Sequence, residues 1–307
     1  MNLSTLSKMT EDEARETLER IRWPNGPVCP HCGCTEGHTK LAGKKHRTGV
    51  WKCNGGCAQQ FSVTVGTVME GSHLPIRTWL MAFSILCSAK KGVSALQLQR
   101  QLGLGSYRTA WHLCHRIRFA MGRNPLKGAL EGVVMVDETH VGGKPRFVHG
   151  KPRKRGPTGK KAIVVALVGR GGRVKSWPIA DVTAKTLQGT IRDHVSPQAA
   201  IQTDELISYR GIGQWFEGSH ETVNHKRKEY VRGDVSTNEA ESYFALLKRG
   251  ITGSFHSVSK KHLHRYCDEF SYRWNERKTT DGERTTKALQ LVGGKRLMYK
   301  DPIRLRS

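Results

Sequence analysis

The sequence predicts an α/β protein built on a mixed sheet flanked by helices, with a small cysteine-rich unit and a helix-turn-helix region ahead of it. Three observations carry that expectation. Short apolar runs of buried-strand type occur between residues 133 and 202, five of the eight cysteines crowd into residues 29–57, and residues 75–121 carry apolar positions at helical spacing interrupted by glycine.

Charge narrows the function classes. The chain has 307 residues with 51 Lys and Arg against 26 Asp and Glu, a net charge of +25 and a pI near 10. Such a field seeks polyanions. A 37% hydrophobic content with seven Trp supports packed cores, and the length allows two or three compact units, so this is not merely a basic tail. There is no run of eighteen apolar residues, and the N-terminus is amphipathic and partly acidic, unlike a signal or transit peptide. These features predict a cytoplasmic protein that does not engage a membrane.

Residues 1–72 read as a short helix followed by a metal-binding unit that ends in the alternating run Phe61-Ser-Val-Thr-Val65. Cys29-Pro-His-Cys32 and Cys53-Asn-Gly-Gly-Cys57, twenty residues apart, come close to the spacing with which four thiolates surround one zinc ion. In a reducing compartment such a cluster more often binds metal than forms disulfides. The second knuckle has three intervening residues where two are usual, and Cys34, His31, His38 and His46 are nearby substitutes for a ligand. Cys29, Cys32, Cys53 and Cys57 are the expected set, and four protein ligands leave zinc a structural role. Cys87, Cys114 and Cys267 fall in apolar helical patterns and read as core.

Residues 73–125 read as three helices. Ile76, Trp79, Leu80, Phe83 and Cys87 share one face, closed by Lys90-Lys91-Gly92. Ser94-Ala-Leu-Gln97 has capping-box form, Leu98 and Leu102 supply a buried face, and Gly103 and Gly105 break the pattern. The third helix, from near Ser106, is expected to bury Tyr107, Ala110, Trp111, Cys114 and Ile117, leaving Arg108, His112, Arg116 and Arg118 largely outside. This is helix-turn-helix form.

Residues 126–285 change period. Val133–Val136 and Ile163–Val168 read as buried strands, the second turning through Arg170-Gly-Gly-Arg173 into a strand reaching Trp177. Helical spacing returns at Leu187 and Ile191, a strand at 199–202 and another near Thr222, then helices at about 238–251 and 260–276. The predicted order is β-β-β-α-β-α-β-α-α. Residues 286–307 read as a basic C-terminal tail.

Asp137 ends the first of these strands and Asp204 follows the run Ala199-Ala-Ile-Gln-Thr203, so two acids are expected at the ends of strands able to lie side by side. Glu241 stands in the first turn of a helix that buries Ala240, Phe244, Leu247 and Ile251, at the margin of its core-facing side. Three such carboxylates suit a cage for two Mg²⁺ or Mn²⁺ ions roughly 4 Å apart, the arrangement that serves in-line displacement at a phosphodiester. Singly, each residue has a plainer role: Asp137 as a turn acid, Asp204 as a helix cap, Glu241 as the capping-box partner of Asn238. Strand alternation sends Glu138 to the face opposite Asp137, while Glu205 and Glu239 stay open as competitors.

Several stretches together resemble a known family. They are Trp51-Lys-Cys53, Gln60-Phe-Ser-Val-Thr-Val-Gly-Thr-Val68, Val136-Asp-Glu-Thr-His-Val-Gly-Gly-Lys144, Thr203-Asp-Glu205 and Thr237-Asn-Glu-Ala-Glu-Ser-Tyr-Phe-Ala-Leu-Leu-Lys-Arg-Gly250. The last leads through Gly253-Ser-Phe-His256 to Tyr266-Cys-Asp-Glu-Phe-Ser-Tyr-Arg-Trp-Asn275. Over roughly residues 25–280 the chain resembles the bacterial insertion-sequence DDE transposases of ISXO type, which carry a zinc ribbon ahead of an RNase H-like catalytic domain. The resemblance implies that Asp137, Asp204 and Glu241 are the catalytic, magnesium-holding acids, and that the reaction nicks transposon ends and transfers the 3′ hydroxyl to target DNA. It implies no ATP site. The Asn-Gly-Gly knuckle departs from the family pattern.

The partner so implied is double-stranded DNA, as transposon end and as target, and coordinated cutting of two ends implies a homodimer or larger. Eight Lys and Arg and no acid lie between Lys144 and Lys161, which makes Lys144, Arg146, Lys151, Arg153, Lys154 and Arg155 candidate phosphate contacts; such a run is also what a solvated insert looks like. Lys248 falls two helical turns after Glu241 on one stripe, with Arg249 beside it, and Arg108 and Arg116 are the candidates on the third helix of the middle region. The competing functions are a non-catalytic zinc-ribbon DNA-binding regulator and an RNase H-like nuclease that does not join strands.

Overall fold

Helices α1 (Leu3–Lys8) and α2 (Glu11–Arg22) begin on side-chain caps. Asn2 accepts from the Thr5 amide, and Thr10 and Glu13 form a reciprocal capping box that satisfies two otherwise orphaned amides. Leu6, Ala14 and Leu18 are buried from this pair. A three-stranded antiparallel sheet follows, β1 (His38–Lys40), β2 (Val50–Cys53) and β3 (Gln60–Ser62), in that spatial order. Its strands are too short to bury much on their own, and Phe61 packs edge-on to Trp23 at 5.8 Å between ring centroids. These elements come from a computed structural model that describes residues 2–43, 46–122, 129–143, 161–223, 231–232, 235–294 and 296–303. Among the described residues no helix is long and apolar enough to cross a membrane.

The three helices of the middle region are α3 (Ile76–Ser88), α4 (Ala95–Gln101) and α5 (Tyr107–Met121), with Ser94 and Ser106 capping the last two by accepting from the amides of Gln97 and Arg108. Helix α5 departs from the sequence expectation. Tyr107 is exposed, whereas Arg116 and Arg118 are 6% and 2% exposed. Arg116 therefore does not present itself for DNA: its guanidinium lies 5.1 Å over the Trp79 ring and donates to the main-chain oxygen of Glu70. Arg108 remains exposed. Arg116→Ala is expected to lower stability by about 2 kcal/mol, through lost packing and a lost buried hydrogen bond, without weakening DNA binding of the folded protein. Denaturant melts and binding isotherms on the same preparation check this.

In the central portion, β4 (Val133–Val141), β5 (Ala162–Gly169) and β6 (Arg173–Ile179) are consecutive antiparallel strands. Helix α6 (Ala184–His194) then leads to β7 (Ala200–Thr203) and β8 (His220–Thr222), and the sheet order is β6-β5-β4-β7-β8, with β7 parallel to both of its neighbours. Where the sequence suggests a helix between β7 and β8, the chain makes two 3₁₀ turns, Ile207–Tyr209 and Ile212–Trp215. Helices α7 (Asn238–Gly250) and α8 (Lys260–Asn275) complete the segment, with a π-helical turn at Ile251–Phe255 between them.

The apolar strand runs follow from a sheet covered on both faces. Met135, Val164, Ala166 and Val168 pack with Tyr243, Leu247 and Phe270 of α7 and α8. Val134, Val136, Val165 and Leu167 pack instead with Leu187 and Ile191 of α6 and with Tyr209. Asn275 ends α8 on the edge strand β6, accepting from the Val174 amide at 2.7 Å and donating to its carbonyl at 3.1 Å, which satisfies groups that an edge strand leaves open.

The chain divides into two compact units, residues 1–123 with 278–307 and residues 124–277. The C-terminal segment corrects the expected boundaries. Helix α9 (Asp281–Gln290), opened by a Thr280–Glu283 capping box, belongs with the first unit, and Leu289, Val292 and Leu297 are buried there. The Val68 amide donates to the Val292 carbonyl at 3.1 Å. Part of the stretch expected to be a basic tail is thus anchored, because Ala288, Leu289, Val292 and Leu297 are buried while the charged residues between them, such as Lys287 and Arg296, stay exposed.

Candidate functional site

Strand register decides where the first two acids meet. Strands β4 and β7 pair in parallel as Val133↔Ala200, Val134↔Ile201 and Met135↔Gln202. Continued by two residues, that register sets Asp137 level with Asp204. Asp137 does not end its strand, as expected from sequence; it lies within β4 opposite Ala166 of β5, and it is β7 that stops at Thr203. The Asp204 carboxylate accepts from the Leu206 amide at 3.0 Å, so this residue also shapes the turn that follows it.

Glu241 occupies the exposed side of the first turn of α7, whose buried residues Ala240, Phe244 and Leu247 pack on the sheet face that carries Met135. Alternation puts Asp137 on that same face. Electrostatics registers the proximity. Burial pushes the Asp137 carboxyl up to about 7, the Glu138 carboxylate adds to the rise, the Glu138 amide hydrogen bond at 2.8 Å opposes it, and Asp204 and Glu241 raise it further. The charges of Asp204 and Glu241 thus reach Asp137, but among the described residues the three carboxylates are not drawn together as closely as the ligands of a formed metal site. A carboxyl so disfavoured as an anion suits a hard cation, and three carboxylates are the oxygen donors that Mg²⁺ or Mn²⁺ takes.

Glu138 goes to the opposite face, as alternation requires. There its carboxylate accepts a 2.5 Å hydrogen bond from the Tyr209 hydroxyl, in the core on which α6 packs. Burial raises its pKa, the tyrosine bond opposes the rise, and Asp204 adds to it. The Glu138–Tyr209 pair ties the turn after Asp204 to the strand that carries Asp137, a link that sequence reasoning missed because only the fold brings residues 71 apart together.

Among the basic candidates, Lys248 and Arg249 are exposed on α7. His140, three residues beyond Asp137, is held below its ordinary pKa by burial, then by Lys161 and Lys248, so the Lys248 charge reaches this end of β4. The Arg249 guanidinium donates back to the Ala245 carbonyl at 3.1 Å. Lys144, Arg146, Lys151, Arg153, Lys154 and Arg155 lie outside the described residues.

The cysteines form a separate centre. The sulfurs of Cys29, Cys32, Cys53 and Cys57 all lie within 4.8 Å of one another, the only such group of potential metal ligands among the described residues. The Cys29–Cys57 and Cys32–Cys53 separations are 3.6 and 3.7 Å. Zinc–sulfur bonds of about 2.3 Å in a tetrahedron require edges of about 3.8 Å, so the four sulfurs fit zinc. Cys34 turns away, its thiol donating to the Glu36 carbonyl at 3.2 Å. The three-residue knuckle is accommodated by its glycines: a Cβ on Gly56 would stand 2.9 Å from the Cys32 sulfur, and one on Gly55 2.6 Å from the Glu36 carbonyl. Backbone amides of Cys34 and Cys57 lower the Cys32 thiol to about 6, whereas burial pushes Cys53 up to about 12, a set that ionises fully only around a cation. The remaining cysteines, Cys87, Cys114 and Cys267, are buried as expected.

Comparisons with known proteins address the same two regions. A family model described as the ISXO2-like transposase domain matches residues 129–275, and one described as the transposase zinc-ribbon domain matches residues 9–60. A Halobacterium salinarum protein, described as an uncharacterized protein in transposable element ISH50, is 28% identical over 276 residues, covering 86% of this chain and 91% of that one. Among solved structures, a Mos1 strand transfer complex is 12% identical, covering 66% of this chain and 78% of that one at a TM-score of 0.21. A pre-cleavage Mos1 transpososome is 14% identical, covering 92% and 97% at a TM-score of 0.22. TM-scores this low add nothing to the inference. The two family matches, by contrast, span the cysteine centre and all three acids, and by them the chain belongs to the ISXO2-like transposases that carry an N-terminal zinc ribbon.

Proposed function

We propose that this transposase cuts DNA at the ends of its element and joins the freed 3′ hydroxyl to target DNA, with Asp137, Asp204 and Glu241 holding two Mg²⁺ or Mn²⁺ ions. The observation that supports the proposal is the parallel β4–β7 pairing, which ends at Met135↔Gln202, two residues before both aspartates, together with the effect of both Asp204 and Glu241 on the Asp137 carboxyl. Bound divalent ions supply polarisation of the attacking and leaving oxygens in an in-line displacement.

The chain's own residues supply the rest. Asp137, part-buried between two strands, offers a rigid ligand, while Glu241 on an exposed helical turn closes the cage from the side open to solvent. Glu138 fixes the Asp204 turn through Tyr209. Lys248, two turns along α7 from Glu241, meets a phosphate next to the reacting one, and the net charge of +25 draws duplex DNA to the surface. Zinc on the four cysteines is structural, since they leave it no open position. Handling two transposon ends at once calls for a homodimer or larger assembly on DNA.

The test incubates the protein with Mg²⁺, a labelled duplex bearing its element's end and a supercoiled target, comparing wild type with Glu241→Gln. Joined product is expected from wild type and a loss on the order of a thousandfold from the variant, with DNA affinity retained. Nicking without joining would make the protein a nuclease. Tight binding with neither product would make it a regulator.

A further inference from the structure

A cleft of about 590 Å³ opens beside α5, lined entirely by residues of the first compact unit. That is the size of a small-ligand site. One wall is the first half of α5, with Arg108 and His112, and the facing wall is the C-terminal stretch from Arg296 to Tyr299.

The charges in the cleft are out of balance. Arg108, Arg116 and Arg296 line it against one acid, Glu70, which Arg296 engages at 3.1 Å. Arg116 is 6% exposed, and its Nε is buried without a hydrogen-bond partner among the described residues. Its guanidinium is held down to about 10 by burial, then by the nearby Arg296 charge, which Glu70 offsets only in part. Cations gathered this closely are relieved by an anion.

An inorganic anion alone would leave the rest of the cleft unexplained. Tyr299, 39% exposed, stands edge-on to His112 at 5.4 Å and to Trp111 at 6.5 Å, so one ring is braced by two others and keeps a free surface. Leu113, Leu297 and Met298 add apolar walls. Guanidinium groups for a phosphate beside a braced aromatic ring for a planar heterocycle are the chemistry that recognises a nucleotide.

We propose that this cleft binds a single nucleotide, its phosphate met by Arg108 and Arg296 and its base laid against Tyr299. The nucleotide comes either from solution or from DNA as a residue displaced from the duplex. The site is independent of the acids on the sheet, so Asp137→Asn leaves it intact.

The experiment measures calorimetric binding of deoxyadenosine 5′-monophosphate to the full-length protein, against deoxyadenosine and inorganic phosphate. Saturable binding is expected, tighter than that of either fragment and weakened roughly tenfold in each of Arg296→Ala and Tyr299→Ala, substitutions of half-exposed side chains that leave the fold in place. Arg108→Ala, on another wall, should weaken it as well. No saturable binding in the millimolar range, equal affinity for inorganic phosphate, or affinity unchanged in all three variants would overturn the proposal. A duplex with one unpaired 2-aminopurine nucleotide identifies the source. If it displaces the mononucleotide better than a fully paired duplex does, the site takes a nucleotide of DNA; if the two duplexes compete equally, it takes the free nucleotide.

Discussion

Asp137→Asn is expected to raise the melting temperature of the zinc-loaded, magnesium-free protein at pH 8 while reducing DNA cutting and joining on the order of a thousandfold. The stability effect follows from linkage. The carboxyl ordinarily titrates near 3.8, and burial with its acidic neighbours lifts it to about 7 in the folded chain. Between those two values the folded state holds a proton that the unfolded chain has released, so stability falls as pH rises through that window, by up to about 1.4 kcal/mol per pH unit. Above pH 7 the full penalty is present, and asparagine removes it. Magnesium should reverse the order, stabilising wild type and leaving the variant unmoved. Thermal melts of the zinc-loaded protein at pH 5 and pH 8, without and with Mg²⁺, read all four conditions. A variant no more stable than wild type at pH 8 without Mg²⁺ would remove Asp137 from a buried anionic environment.

Cys53→Ser should cost the protein its zinc and the ordered cysteine unit with it. The strands of that unit are three or four residues long, and its aromatic contacts are Trp23 with Trp51 and Phe61, and Phe61 with His38. Against so little buried surface, structural zinc contributes about 10–16 kcal/mol in small ribbons and fingers, far more than the packing can replace. Cys53, the first ligand of the second knuckle, is fully buried, so a serine there leaves three thiolates and a hydroxyl that binds zinc poorly. The expected readouts are loss of one zinc per chain by metal analysis and collapse of the near-ultraviolet circular dichroism of Trp23 and Trp51. Retention of that signal in a zinc-free variant would show that the unit holds together by packing alone. Cys34→Ser, by contrast, should keep its zinc, because that thiol bonds to the Glu36 carbonyl outside the cluster.

Local chemistry was readable wherever a residue's partners are near in sequence or follow a fixed period. The two cysteine knuckles announce a metal by spacing alone, and the structure gathers those four sulfurs without recourse to Cys34 or a histidine. Alternation along β4 sends Asp137 and Glu138 to opposite faces, and the two cores of the sheet respect it. The strands and the helices α7 and α8 were visible for the same reason: a period of two or of 3.6 is written into the chain.

Arg116 shows where that kind of reading stops. On a helical wheel it belongs with Arg108 on a solvated face, yet it is buried against Trp79, in the wall of a cleft that residues about 180 positions later, Arg296 and Leu297, also line. The C-terminal stretch reads as a tail in sequence because its few buried apolar residues, Ala288, Leu289, Val292 and Leu297, are interspersed with charge. Likewise, the sequence named Asp137, Asp204 and Glu241 as candidates but left each a plainer role as a turn or capping residue. The parallel pairing of β4 with β7, strands more than sixty residues apart, runs toward both aspartates, and α7, which carries Glu241, packs on the sheet face of Met135. By itself the sequence determined element types, strand faces and the metal-binding cysteines, because those depend on neighbours along the chain. Register, the second face of a helix and the meeting of distant acids were decided by tertiary structure, because each depends on which remote surface is buried against which.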